Sequence, residues 1–416
     1  MSGTTRLLLV TDLPYWRRRT GAEQRIFSLA RFAQAPPFEL HVFYVGQEPL
    51  PARPAGSKGP SFYGLDRRQR WWHRQARTRP PMDHAVATVG PVADRSAPTS
   101  RGLTLADYRW PTAVQQFRRL VRRVRPDWVV CEYVTMAYLA SDLQARPLRG
   151  VSPPRFCLDS HDLLHRRQQL FQAAGYSHWL AINESEEREA IQPFDLILAI
   201  QDDEAAWFRQ QHGAAKILVV GHAVDFGEIV VVPPSAGRAI VLGYFGSNNA
   251  SNVDAVLGFH RDVWPMLRAE CPEATWLIAG TILDHPQVAA AARESAIRTE
   301  RTVERISDFY AAVDVVINPV RFGTGLKIKN VEALAHGRPV VTTVSGGVGI
   351  PEHFGESCWA AETPAAMAAR LIDLAGDPAL RGALSRQAEQ VARQAYCDSA
   401  VYRELSPILA GKPGAN

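Results

Sequence analysis

The feature that most constrains this chain is an alternation of short apolar runs with amphipathic stretches, which occurs twice, once on each side of a proline-rich break at Val231–Arg238. Short apolar runs bounded by turn residues read as buried strands, and apolar residues recurring at helical spacing read as helices packed on them. Before the break this predicts strands at Leu7–Val10, Leu40–Val45, Trp128–Cys131, Phe156–Asp159 and Leu196–Ile200. Between them lie a helix whose Ile26, Leu29, Ala30 and Ala33 share one face, a helix at Thr112–Arg125 and a long helical region near 163–190. After the break, strands at Ala239–Phe245, Thr275–Ala279, Val315–Asn318 and Pro339–Thr343 alternate with helices at Asn252–Cys271, Arg305–Val313 and Gly325–His336, and two further helices follow near 364–376 and 378–395. Such alternation builds a parallel sheet covered on both faces. The expectation is therefore an α/β chain of two doubly wound domains, 1–232 and 233–416, with the last helix packing back on the first. Ligands of such sheets bind at the carboxyl ends of the strands, so the cleft between the domains is the expected site.

A length of 416 residues supports two cores, and 46% apolar with 21% charged residues excludes a disordered or fibrous chain. The cysteines Cys131, Cys157, Cys271, Cys358 and Cys397 are odd in number and widely spaced, which suits a reducing cytoplasm rather than a disulfide framework or a zinc site. No apolar run approaches the roughly 18 residues of a membrane span, and Leu7–Val10 is too short for a signal sequence. Charge is asymmetric: residues 1–150 carry 24 Arg and Lys against 11 Asp and Glu, although the whole chain is only +5. The excess gathers at Arg67–Arg74, around Trp71 and Trp72, and at Phe117–Arg125. Solvation of a helix face explains it; an anionic membrane surface at the inner face, with Trp71 and Trp72 as anchors, is the sharper reading. No nucleic-acid module accompanies it. The segment 48–102, rich in Pro, Gly and Arg, reads as a long excursion with short helices.

Chemistry concentrates in Val315–Thr343, where a strand runs into the turn Arg321-Phe322-Gly323-Thr324-Gly325-Leu326 and then into a helix. The unsatisfied amides and dipole of a helix start favour a phosphate. Only five lysines stand against 42 arginines in the chain, yet Lys327 and Lys329 both fall here; a lysine is a compact charge suited to phosphate. Glu332, one turn on, is placed to accept from vicinal hydroxyls such as those of a ribose. A plain strand-to-helix turn with a solvated charged face remains the alternative.

This stretch resembles the donor-binding motif of GT-B fold glycosyltransferases, specifically the retaining family-4, or group 1, enzymes. Gly243–Asn249, Asn252–Asp254, Val263–Pro265, Leu277–Gly280 and Arg305–Asn318 resemble the elements that precede it in that donor domain. Thr20–Arg25 is similar to the glycine-containing loop after the first strand, Leu158–Asp162 to the strand end that presents a histidine, and Asp195–Ile200 and Val224-Asp225 to the run-up to the interdomain connection. The resemblance implies two Rossmann-like domains in the GT-B arrangement and transfer of a sugar from a nucleoside diphosphate to a hydroxyl acceptor, with retention and without metal or cofactor. It further implies catalytic roles for His161, Lys329 and Glu332, donor binding by Gly246, Ser247, Arg321, Gly323, Thr324, Gly325, Leu326 and Lys327, and an acceptor-side loop at Gly21, Ala22 and Glu23.

The sequence departs from the pattern in two places. Many members carry two glutamates separated by seven residues, and here the first position is Thr324. The loop after Phe245 offers Ser247, Asn248 and Asn249 where many members have an arginine and a lysine. His161 reads as either a cleft residue or a structural histidine, with Asp159 and Asp162 as orienting neighbours. Asp202-Asp203-Glu204 and Glu184–Glu189 read as helix-start acids and a solvated face rather than metal ligands. With no Asp-x-Asp, Gly-x-Gly-x-x-Gly after a strand, or phosphate-loop Gly-Lys-Ser/Thr, the metal-nucleotide, nicotinamide and phosphate-loop readings lack their motifs. The alternatives are a sugar-nucleotide epimerase and a non-catalytic sugar-nucleotide or membrane-binding protein.

Overall fold

The computed structural model describes residues 4–51, 59–65, 102–233 and 239–411. The first seven strands are β1 Thr5–Thr11, β2 Phe38–Tyr44, β3 Ser61–Gly64, β4 Trp128–Glu132, β5 Arg155–Asp159, β6 Leu196–Ala199 and β7 Lys216–Val219. They form one parallel sheet in the order β3-β2-β1-β4-β5-β6-β7. A second parallel sheet has β8 Val241–Phe245, β9 Thr275–Ala279, β10 Ile297–Glu300, β11 Val315–Asn318, β12 Val340–Thr343 and β13 Cys358–Ala361, in the order β10-β9-β8-β11-β12-β13. Strand order reverses between β1 and β4 and again between β8 and β11, which opens a crevice at the carboxyl edge of each sheet.

The central strands are buried along their length because helices cover both faces. The helix Pro111–Val124 buries Phe117, Leu120, Val121 and Val124, while Arg119, Arg122 and Arg123 and the following Arg125 stay exposed. The basic segment Arg67–Arg74 lies outside the described residues. Among the described residues no helix is long and apolar enough to cross a membrane.

Several elements differ from expectation for identifiable reasons. The 252–271 helix is two, Ala250–Asp262 and Trp264–Glu270, because Pro265 has no amide to continue the ladder. The 163–190 region divides into Leu164–Ala173 and Glu184–Ile191, with Gly175 at φ +83 ending the first. The face 184–189 is not wholly solvated: Glu187 is buried and accepts from the Leu164 and His165 amides at 2.9 and 2.8 Å. The helix after the glycine turn starts at Ile328, not Gly325, whose φ of +72 lies outside helical space.

The chain crosses between the domains twice. After the long helix Pro378–Ala395, Tyr402, Leu405 and Leu409 join the core of the first sheet, and Tyr402 Oη lies 2.8 Å from Ser28 Oγ. The crossings are adjacent, since the Val224 amide donates to the Tyr396 carbonyl at 2.8 Å. Elsewhere the domains touch where Ile200 and Val224 share a buried cluster with Leu326 and Val331, and in a small aromatic cluster in which Phe322 meets Phe171 edge-on and stacks on Tyr176, with centroids at 5.1 and 5.2 Å.

One backbone approach fixes the loop after β8. Gly280 has φ +96, and a Cβ there would fall 2.4 Å from the Gly246 carbonyl oxygen, which already accepts from the Ile282 amide at 3.0 Å. Gly280→Ala combines left-handed backbone with that overlap, so a loss of about 3 kcal/mol is expected. Thermal denaturation of the purified variant checks it; an unchanged midpoint would contradict this account of the loop.

Candidate functional site

Between the two carboxyl edges lies a cavity of about 250 Å³ with walls from both domains. The second domain contributes Gly246, Ser247, Gly323, Thr324, Gly325, Leu326, Lys327, Lys329 and Glu332; the first contributes Gly21, Ala22 and His161. Two expected residues are not on this wall. Arg321 turns to Asp254, donating from Nε to Oδ2 at 2.7 Å. Glu23 is buried, and its Oε2 accepts from the Arg19 amide at 2.5 Å, bracing the loop that carries Arg18 and Arg19. Thr20 caps the helix Gly21–Phe32 by accepting from the Glu23 amide, which sets Gly21 and Ala22 at the cavity edge.

The glycine turn is held from beneath. Asn318, at the end of β11, donates from Nδ2 to Asn330 Oδ1 at 2.9 Å and to the Gly346 carbonyl at 3.2 Å. Above it, Lys327 Nζ donates to the carbonyls of Thr324 and Gly325 at 2.9 and 2.8 Å, closing the turn on itself. Lys329 Nζ donates to Tyr244 Oη and Asn252 Oδ1, both at 3.0 Å, and stands 4.1 Å from the centre of the Tyr244 ring. Asn252 also donates to the Ser247 carbonyl at 2.9 Å, so the loop after β8 and the lysine share one anchor. The helix start at Lys327 has no side-chain cap.

Burial governs the charges here. It pushes Lys329 down to about 7, helped by Lys327, and Lys327 down to about 8 against the pull of Asp162. Lys329 has no carboxylate partner among the described residues. Burial also raises Glu332 to about 7, against the pull of Arg18 and of Tyr310, whose hydroxyl donates to Glu332 Oε2 at 3.3 Å. The wall thus holds six basic side chains, Arg18, Arg19, Arg25, Arg167, Lys327 and Lys329, against two carboxylates, Asp162 and Glu332. Such a cavity favours an anion.

His161 stands two residues beyond the end of β5, with φ +62, and is buried. Its Nε2 lies 2.7 Å from Glu132 Oε2 and 3.6 Å from Asp159 Oδ2, and its ring stacks on Tyr133 at 4.0 Å. Glu132, not Asp162, is therefore the orienting carboxylate beside Asp159. Burial and the Asp159 charge raise the Glu132 carboxyl. Glu132, Asp159 and His161 bring three potential metal-ligand atoms within 4.8 Å. The cation already there is Arg25, which donates from Nε to both oxygens of Asp159 at 3.0 Å and from Nη1 to the Gly221 carbonyl at 2.7 Å. Asp162 instead faces the other domain, accepting from Thr324 Oγ1 at 2.7 Å.

Sequence reasoning missed Tyr244, Asn252, Glu132, Arg18, Arg25 and Arg167. Asn252 carried a usable signal, a polar residue at a helix start in the segment already singled out. Tyr244, Glu132, Arg25 and Arg167 sit in ordinary strands and helices and Arg18 in a loop, and only the tertiary structure brings them together around the site.

Residues 239–377 match the family model of glycosyl transferases group 1. No curated protein matches the chain. Among solved structures it is similar to sucrose-phosphate synthase from Thermosynechococcus elongatus, with a TM-score of 0.70, 14% identity and coverage of 97% of this chain and 98% of that one. It is also similar to Anabaena Alr3699/HepE in complex with UDP and glucose, at TM-score 0.59 and 14% identity over 98% and 99% of the two chains. A complex of S. aureus TarM with UDP matches at TM-score 0.64 and 9% identity over 98% and 100%. At these identities the likeness shows the fold, two Rossmann-like domains in the GT-B arrangement.

The depressed Lys329 has a stability signature. Its pKa in the unfolded chain exceeds that in the folded protein, so the unfolded state binds more protons between about pH 7 and 10.4, and stability rises across that window. Lys329→Met should therefore be more stable than wild type at pH 6, by about 1 kcal/mol or more, with the gain shrinking towards pH 10. Paired melts at several pH values check this; a variant less stable at every pH would show the lysine to be a structural anchor.

Proposed function

We propose that this chain, whose residues 239–377 carry a glycosyl transferases group 1 domain within a GT-B fold, transfers a sugar from a nucleoside-diphosphate-sugar to a hydroxyl acceptor. The observation that carries the reading is the pair Lys327 and Lys329 beside an uncapped helix start, in a cavity with Glu332 one turn away. A diphosphate supplies the counter-charge that the lysines lack, and Glu332 accepts from the ribose hydroxyls. The complexes of Alr3699/HepE and TarM with UDP support the same kind of ligand for this cleft.

Breaking the sugar–phosphate bond leaves negative charge on the diphosphate. Lys329, Lys327 and the amides of the glycine turn lie where that charge develops, and such fixed donors are the largest source of acceleration in reactions of this kind. Retention by double displacement requires a second placed carboxylate acting as nucleophile. The loop position that would offer one is Thr324, and the carboxylate it touches, Asp162, is held by Thr324 and Arg167, so front-side substitution, with the leaving phosphate oxygen taking the acceptor proton, suits these residues better. His161, locked on Glu132 and Tyr133, steers sugar or acceptor hydroxyls from the first domain. Lysine and arginine supply the positive charge, so the reaction proceeds without metal or cofactor.

A thermal-shift panel of UDP, GDP, dTDP, ADP and CMP, run with EDTA and then with Mg²⁺, tests the reading. One nucleotide is expected to stabilise the protein in EDTA, and at about 100 times its dissociation constant the gain is about 2.7 kcal/mol. Glu332→Ala should weaken that nucleotide by about 1–3 kcal/mol, the scale of a lost charged hydrogen bond. Absence of any nucleotide effect would overturn the function. Conversion of the donor to an isomer without acceptor would replace transfer with epimerisation.

The exposed Arg119, Arg122, Arg123 and Arg125 support a peripheral contact of the first domain with an anionic membrane at the cytoplasmic face. Liposomes containing phosphatidylglycerol should pellet the protein and neutral ones should not, with the difference lost in 0.5 M salt as screening predicts. Equal pelleting by both would remove this contact.

A further inference from the structure

The two carboxylates on the cavity wall come from different domains and stand at different ends of the glycine turn. Glu332 lies beyond it, on the helix with Lys329. Asp162 lies over its near end, where Oδ1 accepts from Thr324 Oγ1 at 2.7 Å and Oδ2 accepts from Arg167 Nη1 at 3.0 Å. Gly325 makes room for it: at φ +72, a Cβ on Gly325 would fall 2.4 Å from Asp162 Oδ1. The approach also depends on His161, whose left-handed backbone at φ +62 redirects the chain after β5. That conformation costs a non-glycine residue about 1–2 kcal/mol, and the Glu132 contact and Tyr133 stack hold it. The result is an acidic side chain that remains 14% exposed on the cavity wall, with Arg167 and Thr324 occupying one site on each oxygen.

An ionised carboxylate has about four acceptor sites, so Asp162 retains capacity for a pair of hydroxyl donors. A diphosphate offers no such donors and is repelled by the charge; a sugar offers several. We propose that Asp162 is the residue that recognises the transferred sugar, accepting hydrogen bonds from its hydroxyls across the domain seam. This rests on the nucleotide-sugar reading above. It divides donor recognition between the domains: the second holds the nucleotide through Lys329 and Glu332, and the first holds the sugar through Asp162, with Thr324 and Arg167 positioning the carboxylate. Sugar recognition is then complete only when the domains are closed on each other, whereas nucleotide recognition is not.

The test compares wild type, Asp162→Asn and the double variant Asp162→Asn/Thr324→Glu, which moves the carboxylate to the other side of the same contact. Titration calorimetry would use UDP, GDP and ADP, with their glucose, galactose and N-acetylglucosamine conjugates. Asp162→Asn, nearly isosteric, should bind the free diphosphate within about twofold of wild type and the preferred conjugate at least tenfold more weakly, and the double variant should recover part of the loss. An equal loss for nucleotide and conjugate would make Asp162 a seam contact only and overturn the proposal, as would unchanged affinity for both. If wild type binds a diphosphate but no conjugate more tightly, the sugar subsite fails while the nucleotide site stands. If wild type binds no nucleotide, the function proposed above fails and this inference falls with it.

Discussion

The site depends on two ammonium groups held in a partly buried seam with, among the described residues, no carboxylate in hydrogen-bond contact with either. Lys327 is satisfied by carbonyls of its own turn, and Lys329 by a phenol, an amide oxygen and an aromatic face. Neutral acceptors and a ring stabilise a cation less than an opposite charge would, and burial therefore depresses both lysines. The arrangement persists because the scaffold beneath is over-determined: Asn318 bonds to Asn330 and Gly346, Asn252 bonds to Tyr244, Lys329 and Ser247, and Gly280 locks the loop before them. Destabilisation at a binding site, offset by rigid surroundings, is what readies such a site for an external charge.

How much of the fold was legible follows from where each strand lies. The strands with a neighbour on both sides, β1, β2, β4, β5, β6, β8, β9, β11 and β12, were readable because burial on both faces demands an unbroken apolar run. The four strands that escaped the sequence are β3, β7, β10 and β13, which form the four edges of the two sheets. Each edge strand has one open side and tolerates polar or exposed residues, as in Ile297-Arg298-Thr299-Glu300 and Lys216-Ile217-Leu218-Val219, so its apolar signal is short. Helix ends were misplaced where one residue decided the boundary, Pro265 in one case and Gly325 in another.

Legibility of the site divides in the same way between local and tertiary causes. Gly323 through Glu332 form one continuous turn and helix start, so their chemistry and spacing are visible in sequence. The residues opposite are assembled from separate strands and helices: Glu132 ends β4, His161 follows β5, and Arg25 reaches Asp159 from the first helix. A histidine after a strand gives no indication that its partner is a glutamate 29 positions earlier rather than the adjacent aspartate. Nor does a threonine in a glycine turn indicate that an aspartate 162 residues away accepts its hydroxyl proton.

The seam itself carries a mechanical consequence. Each sheet has a core largely of its own, and the apolar contact between the domains is smaller, with Ile200 and Val224 of the first sharing a buried cluster with Leu326 and Val331 of the second. What joins them, besides that shared cluster, is two chain crossings tied side by side by the Val224–Tyr396 hydrogen bond, the Thr324–Asp162 hydrogen bond, and the cluster of Phe171, Tyr176, Ala250 and Phe322. Two adjacent crossings act as one hinge, because a rotation about the line through them stretches neither. These contacts bury fewer side chains than either core, so parting them costs less than opening a domain. The cavity wall is built from both sides of that hinge. Its geometry is therefore complete in the closed arrangement, and a small rotation separates Asp162 from Thr324 while leaving Lys329 and Glu332 together on their own domain.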